Sequence, residues 1–312
     1  MTLVVARQIN NEVYLLADTK YIPTIESATS SSHSYKGGLK LVILTPGLCV
    51  GFAGNTEFSR RAMEGIYDKE VNLFDKNQVI KYFLDFHLAS QNDDNTTDFI
   101  IALILECDDK NGGYIKEIFK IANSKVNWEN VTAYIGDSDA YSCFQEILHE
   151  GNKKLNVPTF EITSLGINER PAFNQSLSNA MHAMQGVIDN TNVLTVDGIR
   201  TVVISDKDQF RYVEYIQIRG IPIPVNNESN APVSFGGVAE GSYHKHVGMY
   251  SAVGHGIFPV YWITGGFGVI YNPEKCFEPA IFSNITQDDF RLMVEDKIAE
   301  AHQRALNYQN RF

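Results

Sequence analysis

Cysteine is scarce in this chain. Cys49, Cys107, Cys143 and Cys276 are the four among 312 residues. None forms a C-x-x-C pair, so neither a disulfide framework nor a zinc site can be read from them. Apolar runs are short. None approaches the roughly 20 residues a membrane helix needs. The start has no basic segment, long apolar region and small-residue cleavage site of the kind that marks secretion. The expectation is a reduced, soluble, cytoplasmic protein. Basic residues are the minority, 26 Lys and Arg against 37 Asp and Glu, for a net charge of -11. A chain of that sign is repelled by phosphate backbones and anionic bilayers, so nucleic acid and membranes are not expected partners.

Apolar residues are plentiful, at 44% with 11% aromatic, enough for one large core or two modest ones. "TLVVARQI" and "EVYLLADTKYI" are β-branched and apolar, and the "NN" between them is a good turn dipeptide, which predicts a largely buried hairpin. The polar stretch "ESATSSSHSYKGG" reads as a surface loop, and "LKLVILTPGLCVGFAG" as two short strands around Thr45, Pro46 and Gly47. A helix is expected from "NTEFSRRAMEGIY", with Asn55 or Thr56 as its cap. A second, "NQVIKYFLDFHLAS", carries Val79, Tyr82, Phe83, Phe86 and Leu88 as an apolar stripe. "FIIALILE" and "YIKEIFKIA" read as paired strands. "VTAYIGDSDAYSCFQEILHEG" reads as strand, glycine turn and helix. The helix "FNQSLSNAMHAMQGVID" precedes the strands "IRTVVIS" and "FRYVEYIQI".

This order suits an α+β fold in which helices cover two stacked, mainly antiparallel sheets. "GIPIPVNNESNAP" has the composition of a linker, which predicts a domain over 1–220 and a strand-rich extension over 221–312. The extension ends in a long helix begun by a Thr286–Asp289 capping pair.

If Met1 is removed, Thr2 carries a hydroxyl nucleophile and an α-amine on one carbon. The amine can take the hydroxyl proton, because its ordinary pKa lies near 8. A nearby lysine would lower both groups' pKa values, and a buried aspartate would hold that lysine. Asp18 ends the second strand in "LLADTKY", and Lys40 opens "LKLVIL", both among apolar neighbours where a lone charge is costly. Gly51 in "VGFAG" lets a backbone N–H approach a scissile carbonyl as an oxyanion donor.

The segment "TLVVA…VYLLADTK…LKL…CVGFAGNTEF" resembles the proteasome β-subunit family, and is similar to its bacterial relative, the heat-shock-locus protease. These are N-terminal-nucleophile hydrolases with a four-layer αββα sandwich. The resemblance implies Thr2 as nucleophile, Asp18 and Lys40 as its supporting ion pair, and Gly51 as oxyanion donor. It implies that Lys20 is the family's basic residue after the aspartate, and that Tyr21, Cys49 and Ala53 line a neutral substrate pocket. It matches the turn "YIGDSDAY" to one that contacts the amine, a role for Asp137 or Ser138, since Asp137 stands where the family has serine.

The activity implied is a threonine peptidase or amidohydrolase acting on peptides or unfolded protein, without metal or cofactor. A homo-oligomeric ring served by an ATP-dependent unfoldase is implied too. A peptide ligase or transferase using the same acyl-enzyme, and an inactive ring subunit, remain open.

Plainer readings stand beside these. Thr2 suits a packed strand, Asp18 a strand-ending turn and Lys40 a solvated edge, while Gly51 and Gly54 suit close packing. His244, His246 and His255 have no acidic residue or cysteine at a supporting spacing for a metal. "TGGFGVIY" departs from both phosphate-loop patterns.

Overall fold

The computed structural model describes residues 2–20, 37–69, 71–91, 96–107, 113–150, 159–163, 170–190, 192–213, 215–220, 244–249, 256–262 and 266–310. The first hairpin forms as expected. β1 (Leu3–Ile9) and β2 (Glu12–Ala17) pair antiparallel with Val4 opposite Ala17. Asn10 and Asn11 turn between them at φ 50° and 62°, values that a two-residue hairpin turn demands and asparagine tolerates.

β1 also pairs with β8 (Thr132–Gly136). β2 pairs with β10 (Thr201–Asp206), which in turn pairs with β11 (Gln209–Tyr212). A second antiparallel sheet runs in sequence order through β3 (Leu41–Thr45), β4 (Leu48–Ala53), β5 (Asp98–Cys107), β6 (Gly113–Ala122) and β7 (Lys125–Glu129).

The two sheets stack: β1 and β8 lie against β4, and β2 and β10 against β3. Every residue of β3 and β4 is buried, which is why both read as continuous apolar runs rather than alternating ones. Gly51 sits at the closest approach. A Cβ there would be 2.8 Å from Val4 Cγ1 and 3.0 Å from Leu41 Cδ2.

Helices cover both outer faces. α1 (Thr56–Gly65) packs on β4, and α2 (Lys76–Ser90) on β5, β6 and β7. α3 (Ser138–Glu150) packs against α4 (Pro171–Asp189), which lies on β2. Asn55 caps α1 by accepting the Glu57 and Phe58 amides at 2.9 and 3.3 Å. In α2, Val79, Tyr82, Phe83 and His87 are buried, but Leu88 is exposed. The buried line continues from Phe83 to His87, one turn on, and Leu88 lies a further step around the helix. No helix among the described residues is long and apolar enough to cross a membrane.

The expected boundary at residue 220 falls inside a third antiparallel sheet. β9 (Thr159–Thr163) and β12 (Tyr215–Gly220) are hydrogen-bonded into one sheet with β13 (His244–Met249), β14 (Phe258–Trp262), β15 (Phe267–Asn272) and β16 (Lys275–Ser283). Phe258, Val260, Val269, Tyr271 and Cys276 belong to the same buried cluster as the first two sheets. Of the stretch read as a linker, Gly220 ends β12 and the rest lies outside the described residues. α5 (Gln287–Gln309) closes the described chain, with Thr286 Oγ1 accepting the Asp289 amide at 3.1 Å.

The contact between the sheets makes a definite prediction. Gly51→Ala pushes a methyl into Val4 and Leu41 and should lower stability by about 1–3 kcal/mol. Urea denaturation reads this as a lowered midpoint, and an unchanged midpoint would mean the sheets have room to spare.

Candidate active site

Three strand ends meet at one point. Thr2 precedes β1, Asp18 follows β2 and Lys40 precedes β3. The β1–β2 register carries Asp18 alongside Leu3, whose amide donates to Asp18 Oδ1 at 3.3 Å. Lys40 is held in place from the third sheet, where the Cys276 carbonyl accepts the Leu39 amide at 2.8 Å.

Lys40 Nζ donates to Thr2 Oγ1 at 2.6 Å and to Asp18 Oδ2 at 2.9 Å, and the Thr2 hydroxyl donates to Asp18 Oδ1. Relative exposures are 4% for Thr2, 0% for Asp18 and 3% for Lys40, so water screens none of these contacts. Burial pushes the Lys40 ammonium below the ordinary lysine range, and the Asp18 carboxylate draws it part of the way back. Asp18 Oδ2 also accepts the amides of Lys20 at 3.0 Å and Asp197 at 3.4 Å. The unit is a buried ion pair whose cation and anion both address one hydroxyl oxygen.

The turn after β8 supports Thr2 from behind. Gly136 has φ +100°, and a Cβ there would lie 1.9 Å from the Thr2 carbonyl oxygen, so only glycine fits. The Asp137 amide donates to that carbonyl at 2.8 Å. Asp137 Oδ1 caps α3 through the Asp139 and Ala140 amides, and Oδ2 accepts the Thr195 hydroxyl at 2.6 Å. Partial burial works against the Asp137 carboxylate, but the Thr195 and amide hydrogen bonds outweigh it and hold its pKa below the usual range. Ser138 is exposed, and its carbonyl accepts Ser142 Oγ within α3. Of the two alternatives the structure brings Asp137, and not Ser138, against Thr2.

The remaining expected residues divide. Gly51 stands inside the β4 ladder. Because the Phe52 amide donates to Lys40 O at 3.2 Å, alternation turns the Gly51 amide toward β5, where Ile100 is opposite. That amide faces the neighbouring strand, so Gly51 does not present the open N–H expected of an oxyanion donor. Cys49 is fully buried in the core, where desolvation drives its thiol pKa upward, and it has no open face for a substrate. Ala53 is near Thr2: its Cβ is 3.3 Å from where a Gly136 Cβ would stand, and that same Cβ would touch the Thr2 carbonyl.

Lys20 turns its ammonium to the Leu194 carbonyl at 2.7 Å and to Asp197 Oδ2 at 4.0 Å, tying down the loop before β10. Tyr21 and His255 lie outside the described residues. Among the described residues no cluster of three or more His, Cys, Asp or Glu is arranged to hold a metal ion.

Sequence reasoning missed the loop from Thr195 to Ile199. Thr195 fixes Asp137, the Asp197 amide reaches Asp18, and the Ile199 amide donates to Thr19 Oγ1 at 2.9 Å. "TVDGIR" is visible as a turn, yet Asp137 is 58 residues before Thr195, and Asp18 and Thr19 are some 180 residues earlier, brought near by the β2–β10 pairing.

No family model matches the sequence, and no curated protein matches it. Among solved structures, an Anbu (Gly-1) mutant from Hyphomicrobium sp. strain MC1 is similar at 13% identity and a TM-score of 0.46, over 69% of this chain and 86% of that one. The eukaryotic HslV from Trypanosoma brucei is similar at 15% identity and a TM-score of 0.40, over 65% of this chain and 98% of that one. Neither likeness bears on the chemistry, which rests on the site's own geometry.

Asp18→Asn leaves the Lys40 ammonium buried without its carboxylate and should cost about 3–5 kcal/mol in urea unfolding. Adding Lys40→Met should restore part of that loss. The pH dependence has a definite sign as well. The folded chain releases the Lys40 proton below the ordinary value of 10.5, so the unfolded chain binds more protons in the window beneath it. The stability of the wild type relative to Lys40→Met should therefore rise with pH toward 10.5. A flat or falling difference would show that Lys40 is not depressed.

Proposed function

We propose that this chain is a threonine-type peptidase or amidohydrolase whose nucleophile is Thr2 Oγ1. The observation that carries this is the convergence of Lys40 Nζ and Asp18 Oδ1 on that one oxygen, with all three residues out of water. A packed strand threonine has no use for a buried ion pair on its hydroxyl, since that pair is costly to bury. The two stacked sheets with helices outside them also suit the four-layer αββα arrangement of such hydrolases.

The reading requires that Met1 is removed, so that the α-amine of Thr2 is free. That amine, or a water it holds, takes the hydroxyl proton while Oγ1 bonds to the scissile carbonyl carbon. Lys40 stabilises the developing alkoxide, and Asp18 keeps Lys40 in position. The carbonyl oxygen becomes an oxyanion that needs an N–H donor. The Gly54 amide fits that need best among the residues after β4. It leaves the end of β4 directly after Ala53, which stands beside the Gly136 turn that holds the Thr2 carbonyl.

Collapse breaks the C–N bond, and the leaving amine takes the proton held by the Thr2 α-ammonium. Water then gives a proton to the α-amine, its oxygen attacks the ester carbon, and Thr2 departs with its hydroxyl restored.

Peptides or unfolded protein are the substrates this reading favours. A homo-oligomeric ring with an ATP-dependent unfoldase belongs to it through the resemblance of the first strands.

Intact-mass measurement with a threonine-directed epoxyketone or boronate tests the core of the proposal. The expected result is loss of Met1 and a covalent adduct on the wild type, absent from Thr2→Ala. Retained Met1 without an adduct would overturn it.

A further inference from the structure

The space next to the nucleophile is bounded on one side by the sheet that carries Lys40. Lys40 and Phe52 stand opposite each other across β3 and β4, so their side chains share a face. The other face carries Leu41 and Gly51 and is closed by Val4 of the first sheet. An acyl group on Thr2 Oγ1 therefore finds room for its side chain only on the face of Lys40 and Phe52.

That face already holds a side chain from β16. The Phe277 ring centroid is 5.5 Å from that of Phe52, with the planes tilted by 37°. A Cβ on Gly38, two residues before Lys40, would be 2.6 Å from Phe277 Cδ1, so the ring rests on a bare glycine backbone. The neighbouring Cys276 carbonyl accepts the Leu39 amide, which runs β16 along the entry to β3 in the way an extended peptide adds to a sheet edge. β16 is an edge strand of the third sheet, paired with β15 alone within it, and this contact gives its start a second partner.

We propose that Phe277 is a specificity-determining residue, which fills the space beside Thr2 and restricts the site to substrates with a small side chain at the scissile carbonyl. The inference rests on Thr2 being the nucleophile. It adds a substrate class and a role for the third sheet, whose edge strand β16 carries Phe277. Phe277 is a wall for the acyl side chain, and Gly38 is the position that lets the wall stand so close.

The test compares the wild type with Phe277→Leu and Phe277→Ala on fluorogenic peptide amides carrying Ala, Leu or Phe before the cleaved bond. Expected is a rise of at least about tenfold in the Phe-to-Ala ratio of kcat/KM for Phe277→Ala, with Phe277→Leu intermediate, in line with the value of a few methylenes in an apolar pocket. A ratio unchanged within about twofold overturns the proposal.

Binding supplies a second reading that needs no turnover. In a Thr2→Ala background, calorimetry with the uncleaved Phe and Ala peptides should show the Phe peptide gaining about tenfold in affinity over the Ala peptide when Phe277 becomes Ala. Equal gains overturn the proposal. If Thr2 accepts no covalent probe in any variant, the hydrolase reading fails, and the binding comparison alone decides whether Phe277 fills the pocket.

Discussion

The ion pair between Lys40 and Asp18 sets the terms for the rest of the molecule. Removing two charges from water costs several kcal/mol per ion, and their mutual attraction repays it only when the remaining lone pairs and protons find partners. Asp18 meets that condition by accepting from Thr2, Leu3, Lys20, Lys40 and Asp197. Those donors come from the first hairpin, the entry to the second sheet and the loop before β10. The pair is thus affordable only in the finished fold, and the convergence of three strand ends from two sheets is the condition for having it.

Close approach is the second constraint, and glycine supplies it where a methyl would not fit. Gly51 lets Val4 reach β4, which brings the two sheets together over their buried strands. Gly136 lets the turn after β8 close onto the Thr2 carbonyl, and the Asp137 amide that follows fixes it. Thr2 is therefore restrained at its backbone by the turn after β8 and at its hydroxyl by the end of β2 and the start of β3. A hydroxyl held this way would lose little freedom in a reaction, which is how positioning lowers a barrier.

Much of this was legible because the informative features are local. A charge flanked by apolar residues at a strand end announces a buried partner, and "LLADTKY" and "LKLVIL" each show one. The "NN" turn and the Asn55 cap are equally local. Non-local facts were hidden. Whether the Gly51 amide faces an open edge or a neighbouring strand depends on β5, which lies some fifty residues away. The choice between Asp137 and Ser138 turned on which residue follows Gly136 into the α3 cap, a matter of turn geometry rather than residue type. The boundary at 220 was drawn from prolines and polar residues, and composition cannot report that β12 pairs with β9 on one side and β13 on the other.

The third sheet belongs to the end of the molecule that holds Thr2 and Lys40 rather than hanging from it. Its edge strand touches the chain at Leu39 and Gly38, the two residues just before Lys40, and buries Cys276 in the common core. Protein interiors are packed about as densely as organic crystals, so a displacement at one contact is passed to its neighbours rather than absorbed. A shift of β16 along its own axis would move the Cys276 carbonyl, the Leu39 amide bonded to it and then the Lys40 backbone. Since Lys40 Nζ stands 2.6 Å from Thr2 Oγ1, even a movement of a few tenths of an ångström would register at the Thr2 hydroxyl. The sequence after residue 220 is thus as much a part of the site as the strands that bear Thr2, Asp18 and Lys40.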